Sequence, residues 1–199
     1  MSIKTLARSW AAVAALACAG LAHAELITFE FTGTTVYSTY LGVPGTPVTG
    51  TFSYDPQTEP FLVEGGGNHR EPGTSAYNLP PPAQLVVRIG SHTIQASDQL
   101  GASVYNNNAS NIEDFFTIGS VRPVIDGTTL IDGGIGLNFA SKPGQTNALK
   151  DTRLPRQLHL QRFDTRPETG NVLGYVQANG SSDGMILQFT IDSVRRKHH

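Results

Sequence analysis

From Leu26 onward, apolar and polar residues alternate with a period of two, the repeat of an extended strand with one wet face. Residues 47–55, PVTGTFSYD, show it most clearly. Val48, Gly50, Phe52 and Tyr54 fall on one side, and Thr49, Thr51 and Ser53 on the other. Asp55-Pro56 then closes the run with a turn signal. Residues 26–32 repeat the pattern, with Ile27, Phe29 and Phe31 inward and Thr28, Glu30 and Thr32 outward. Residues 34–40 continue that strand or pair beside it.

The same reading predicts a hairpin from residues 84–90 and 92–97 turning at Gly90-Ser91. Further strands are expected at 101–105, 115–119, 121–125, 134–140, 157–163, 172–178 and 185–194. Residues 56–82 carry Pro56, Pro60, Pro72, Pro80, Pro81 and Pro82 plus Gly65-Gly66-Gly67. Prolines cannot donate to a ladder, so this segment reads as a long surface loop with a short strand at 61–64. Residues 141–156 read as loop, with one helical turn at 149–154. About ten strands with Gly/Pro-rich turns predict an all-β protein, an antiparallel β-sandwich or jelly roll. No fixed-period repeat stands out.

The first 24 residues have a different pattern. Lys4 and Arg8 precede an apolar run, and Ala22-His23-Ala24 forms a small-x-small site, so residues 1–24 read as a signal peptide cleaved after Ala24. The apolar run of about a dozen residues is shorter than the roughly 18 that a spanning helix needs. Residues 25–194 then form one domain and 195–199 a basic tail. A competing cleavage, Ala15-Leu16-Ala17-Cys18, would lipidate Cys18 and make this a lipid-anchored envelope protein.

Cleavage after Ala24 also changes the composition. Basic residues fall from 14 to 12 against 16 acids, a mildly acidic balance that argues against general nucleic-acid binding. Cys18 is the single cysteine and Trp10 the single tryptophan, and both leave. The mature chain has no disulfide and no tryptophan platform for sugar stacking. The compartment expected is secreted or periplasmic.

The opening ITFEFTGT, followed by VTGTFSYD, resembles the start of exported bacterial β-sandwich proteins of the PEP-CTERM-associated type. The likeness covers about residues 26–55. It implies export, an all-β fold and an association with extracellular polysaccharide, and it assigns no activity. The end of the chain, IDSVRRKHH, has the basic residues of such a sorting tail without the Pro-Glu-Pro signature or an apolar helix.

Candidate chemistry is sparse. Gly180-Ser181-Ser182-Asp183-Gly184 matches the nucleophile-elbow pattern, but a period-two strand follows where a helix is required, so Ser182 reads as a hairpin residue. Residues 133–138, GGIGLN, imitate a single calcium-binding repeat that functions only when stacked. Asn106, Asn108, Asn111, Glu113 and Asp114 gather oxygen ligands suited to calcium, although asparagines also simply favour turns. His69, His92 and His159 have no zinc spacing. Asp164 and Glu168 are the carboxylates considered for glycosidase-type chemistry. Lys142, Lys150, Arg153, Arg156, Arg162 and Arg166 make 142–166 a basic stretch, read either as a solvated face or as a patch for acidic polysaccharide.

These features predict an exported, non-enzymatic protein with a binding or structural role at the envelope or outside the cell. No catalytic residue and no cofactor is assigned, with calcium the one ion considered. The partners expected are extracellular polysaccharide or another envelope protein. A lectin-like or carbohydrate-active domain on the same fold is the alternative.

Overall fold

The structure, a computed structural model, describes residues 26–65, 72–96, 99–108, 113–166, 169–178 and 184–198. Among them strand is by far the commonest regular structure, and helical residues are confined to short 3-10 segments, one of them at Leu160–Arg162. Residues 1–25, Cys18 included, lie outside the described residues, as do His69, Asn111, Glu168 and Ser182.

The organising strand is β1 (Ile27–Ser38), which serves two arms of one sheet. Its first half pairs with β2 (Pro47–Tyr54), Ile27 opposite Tyr54 and Thr34 opposite Pro47. From β2 this arm continues through β5 (Gln84–Ile89), β6 (His92–Gln95) and β9 (Val124–Ile125) to β10 (Thr128–Thr129). The second half of β1 pairs with β13 (Met185–Thr190). The other arm then runs through β12 (Val172–Ala178), β11 (Gly133–Ala140), β8 (Glu113–Val121) and β7 (Leu100–Asn108) to β4 (Gly73–Leu79) and β3 (Leu62–Gly65). Finally β14 (Ser193–Arg196) lies beside the first half of β1, Phe31 opposite Val194. All these pairings are antiparallel.

The bend between the arms has a local cause. The register of β1 against β13 slips between Thr35 and Tyr37, a bulge that turns the strand. Gly33 sits just before it, where an added Cβ would lie 1.9 Å from the Thr190 carbonyl oxygen. Only a residue without a side chain allows that approach. Thr34 locks the corner, its hydroxyl donating to Asp192 Oδ2 at 3.0 Å and its N–H donating to Thr190 Oγ1 at 3.2 Å.

Curling brings the inward faces of the two arms together. Phe29 and Phe52 stack with centroids 5.0 Å apart within one arm. Across the core, Phe52 meets Phe139 at 6.2 Å, Tyr54 meets Phe116 at 6.2 Å and Phe31 meets Phe189 at 6.1 Å. Each such ring, fully buried, contributes about 1.5–3 kcal/mol of transfer free energy, which is what holds a disulfide-free fold of this size.

The all-β expectation stands, with corrections. Among the described residues the strands number fourteen rather than about ten, and they form one curled half-barrel rather than a clear sandwich of two sheets. Within 56–82 the short strand expected at 61–64 is β3, and β4 is a further strand of the sheet, because the prolines flank it instead of interrupting it. Its inward set is Ser75, Tyr77 and Leu79. Residues 149–154 contain no helical turn, and 157–163 is not a strand. The basic tail begins inside β14, where Arg195 and Lys197 both reach Glu30, at 3.0 and 3.5 Å.

Candidate functional site

The basic stretch lies in the connection between β11 and β12, which crosses one end of the core as a cap. Leu149, Leu154, Leu158 and Phe163 bury their side chains beneath it, Phe163 edge-on to Phe139. Three groups from the sheet hold its backbone. The Tyr54 hydroxyl donates to the Pro155 carbonyl at 2.6 Å, and the Tyr77 hydroxyl to that of Thr152 at 2.6 Å. Asp114 accepts from the Leu149 N–H at 2.8 Å. A capping segment this firmly held explains why an apolar period is absent there: its apolar residues are placed singly by tertiary contacts.

All six basic side chains of the stretch are exposed. Arg153 pairs with Asp151, Nε to Oδ2 at 2.9 Å, and Arg162 reaches the Asn147 carbonyl at 3.4 Å. Arg166 grips Asp164 through Nε and a terminal nitrogen, both at 2.7 Å. Lys142, Lys150 and Arg156 form no ion pair with a described acid. Half of the stretch's charge is therefore engaged internally.

Of the carboxylates singled out from the sequence, Asp164 and Asp114 hold the backbone and side chains around them. Asp164 is fully buried and accepts from Arg166 and from the Asn171 amide at 3.2 Å. The Arg166 hydrogen bonds hold its carboxyl far below the usual carboxylate range, against the opposing effect of burial. A general acid needs the opposite shift. Asp114 is equally buried, and its second oxygen accepts the Asn107 N–H at 3.0 Å. Each of its two oxygens thus accepts a backbone N–H. Of the other calcium candidates, Asn106 is buried and Glu113 partly buried, while Asn111 and the Asn108 side chain lie outside what is described.

His92 and His159 share no metal-binding cluster. His92 Nδ1 lies 2.6 Å from Asp126 Oδ2 on a surface turn, and that bond with the Thr93 N–H holds the Asp126 carboxyl below its usual value. His159 is exposed beside the 3-10 turn. Among the described residues no three His, Cys, Asp or Glu side chains gather as a metal site. The glycines of 133–138 belong to β11 and serve packing: a Cβ at Gly136 would lie 2.6 Å from the Tyr175 hydroxyl.

What the sequence reading did not assemble is a groove of about 850 Å³ on the outer face of β14, β1, β2, β5 and β6. Cross-strand register places its side chains in two rows. One runs Arg195, Glu30, Thr51, Val86, Gln95; the next runs Ser193, Thr32, Thr49, Arg88, Thr93. Thr32 and Ser193 hydroxyls touch at 2.7 Å. Arg88 is exposed and pairs with no described acid. The outward alternation of β1 and β2 was the available signal, but only long-range pairing brings the rows together.

Comparison with protein-family models, with curated proteins and with solved structures gave no match. Function is therefore argued from these side chains.

Proposed function

We propose that the chain is an exported bacterial protein of the cell envelope or extracellular space that binds polysaccharide without chemically altering it. The observation that carries this reading is the outer groove, where the Thr32, Thr49, Thr51 and Ser193 hydroxyls, the Gln84 and Gln95 amides and the Arg88 and Arg195 guanidiniums stand among a few apolar groups such as Val86. Several convergent polar groups on a mixed surface suit a hydrated ligand with both polar and apolar faces, as a sugar has. Asp164, buried and gripped by Arg166 through both oxygens, does not fit the general acid considered for it from the sequence. Export is supported by the pattern of residues 1–24, whose proposed cleavage point lies just before the first strand at Ile27.

The test is a melting-midpoint screen of the purified protein against neutral and acidic polysaccharides, run beside an assay for released reducing ends. A ligand selective for the folded state raises the midpoint by mass action. The expected result is a raised midpoint with at least one polysaccharide and no released ends. Release of ends would overturn the non-enzymatic reading, and an unmoved midpoint across the panel would overturn polysaccharide binding.

A further inference from the structure

We infer that the groove across β14, β1, β2, β5 and β6 is the binding site, and that its ligand is an extended glycan carrying carboxylates, anchored on Arg88. The inference rests on the polysaccharide-binding reading and adds where the chain binds and which class of sugar it selects.

Charge selects an anion. The whole sequence is acidic, with formal net charge −2. The groove lining holds one acid, Glu30, and two bases, Arg88 and Arg195, and Lys197 also reaches Glu30. Glu30 is engaged by Arg195 and Lys197, which leaves the Arg88 guanidinium to meet a ligand. Its planar fork matches a carboxylate bidentately.

The lining selects a sugar. Thr32, Thr49, Thr51 and Ser193 offer hydroxyls that both donate and accept, and Gln84 and Gln95 offer amides. No aromatic ring stands on the outward rows, because Phe31 is turned inward beneath Gly50. Stacking against a neutral sugar face is therefore not supplied here, and charge has to contribute in its place. An extended peptide would seek free backbone groups at a strand edge or apolar side-chain pockets. The two rows of groove side chains lie on the face of paired strands, where the backbone groups of β1, β2 and β5 are engaged within the sheet. Five neighbouring strands span roughly 19 Å at the usual inter-strand spacing, which suits an oligomer rather than a single sugar.

The experiment is calorimetric titration of the purified protein with a uronic-acid oligosaccharide, its carboxyl-reduced neutral counterpart and oligoglutamate. It uses wild type, Arg88→Gln, and the triple variant Lys142→Ala/Lys150→Ala/Arg156→Ala. Arg88 is exposed, so R88Q keeps the fold, as an unchanged melting midpoint would verify. The expected result is uronate binding that weakens at least about tenfold in R88Q. It also weakens with added salt, stays within about twofold of wild type in the triple variant, and is absent for the neutral oligomer. Uronate binding lost only in the triple variant would move the site to the cap: the groove inference fails while polysaccharide binding stands. Equal binding of the neutral oligomer, or of oligoglutamate, would overturn the ligand class. Failure of every glycan to bind would overturn the underlying reading itself.

Discussion

The hydroxyl of Tyr54 donates to the main-chain carbonyl of Pro155 over 2.6 Å, across 101 residues of sequence. Tyr54 is wholly buried, and burial pushes its phenol well above its ordinary pKa, so it remains a donor at any working pH. Tyr54→Phe keeps the ring and strands the buried carbonyl. We expect a loss of about 1–3 kcal/mol, seen as a lower urea midpoint with unchanged slope. An unchanged midpoint would mean that the cap does not depend on this bond.

Asp164 should make stability depend on acid. Its carboxyl sits far below its unfolded value of about 3.9 because Arg166 donates to both oxygens. The stability it contributes is complete above that unfolded value and is lost as the pH falls below about 4 toward the folded value. Asp164→Asn should thus be less stable than wild type near neutrality, with the gap narrowing through that acid range. Melting curves of both proteins between pH 7 and about pH 2.5 would check it. A constant gap would show that the charge of Asp164 is not what matters.

Gly33 is where the sheet turns its corner. A methyl group there would meet the Thr190 carbonyl, a backbone atom that cannot rotate aside. Gly33→Ala should cost about 3 kcal/mol or more. Gly134→Ala, whose nearest neighbour is the Ser120 oxygen at 3.6 Å, should stay within about 1 kcal/mol of wild type. Equal effects by chemical denaturation would contradict the corner assigned to Gly33.

Export and the choice between its two cleavage sites can be read from one terminus. Sequencing of the protein recovered from outside the cytoplasm should begin at Glu25. A blocked, lipid-modified terminus at Cys18 would establish the envelope-anchored alternative instead.

Facing was legible in the sequence except at strand ends such as Ser53, placed outward by the alternation and buried in the fold; pairing was not. The inward set Val48, Phe52 and Tyr54 is as the alternation predicts, and the strand expected at 172–178 is β12 to the residue. A period of two states which face a residue takes and is silent about its neighbour. The pairing of Thr35 with Phe189 spans more than 150 residues, and it makes one curled sheet where two were expected. The cap was unreadable for a related reason. Leu149, Leu154, Leu158 and Phe163 follow neither strand nor helix spacing, because each fills its own gap at the end of the core. The candidate site fared similarly: Glu30, Thr32, Thr49 and Thr51 were placed outward, while Arg88 and Arg195 join them only through strand register. Asp164 shows the converse, a residue chosen for chemistry that the fold uses to hold an arginine.

The account's central claim is that the outer sheet face is the working surface. The most direct measurement is backbone amide chemical-shift mapping of the protein titrated with the uronic-acid oligosaccharide. The account predicts perturbations concentrated at outward positions such as Thr32, Thr49, Thr51, Arg88 and Gln95. Perturbations confined to the cap between β11 and β12, or none at saturating oligosaccharide, would contradict it.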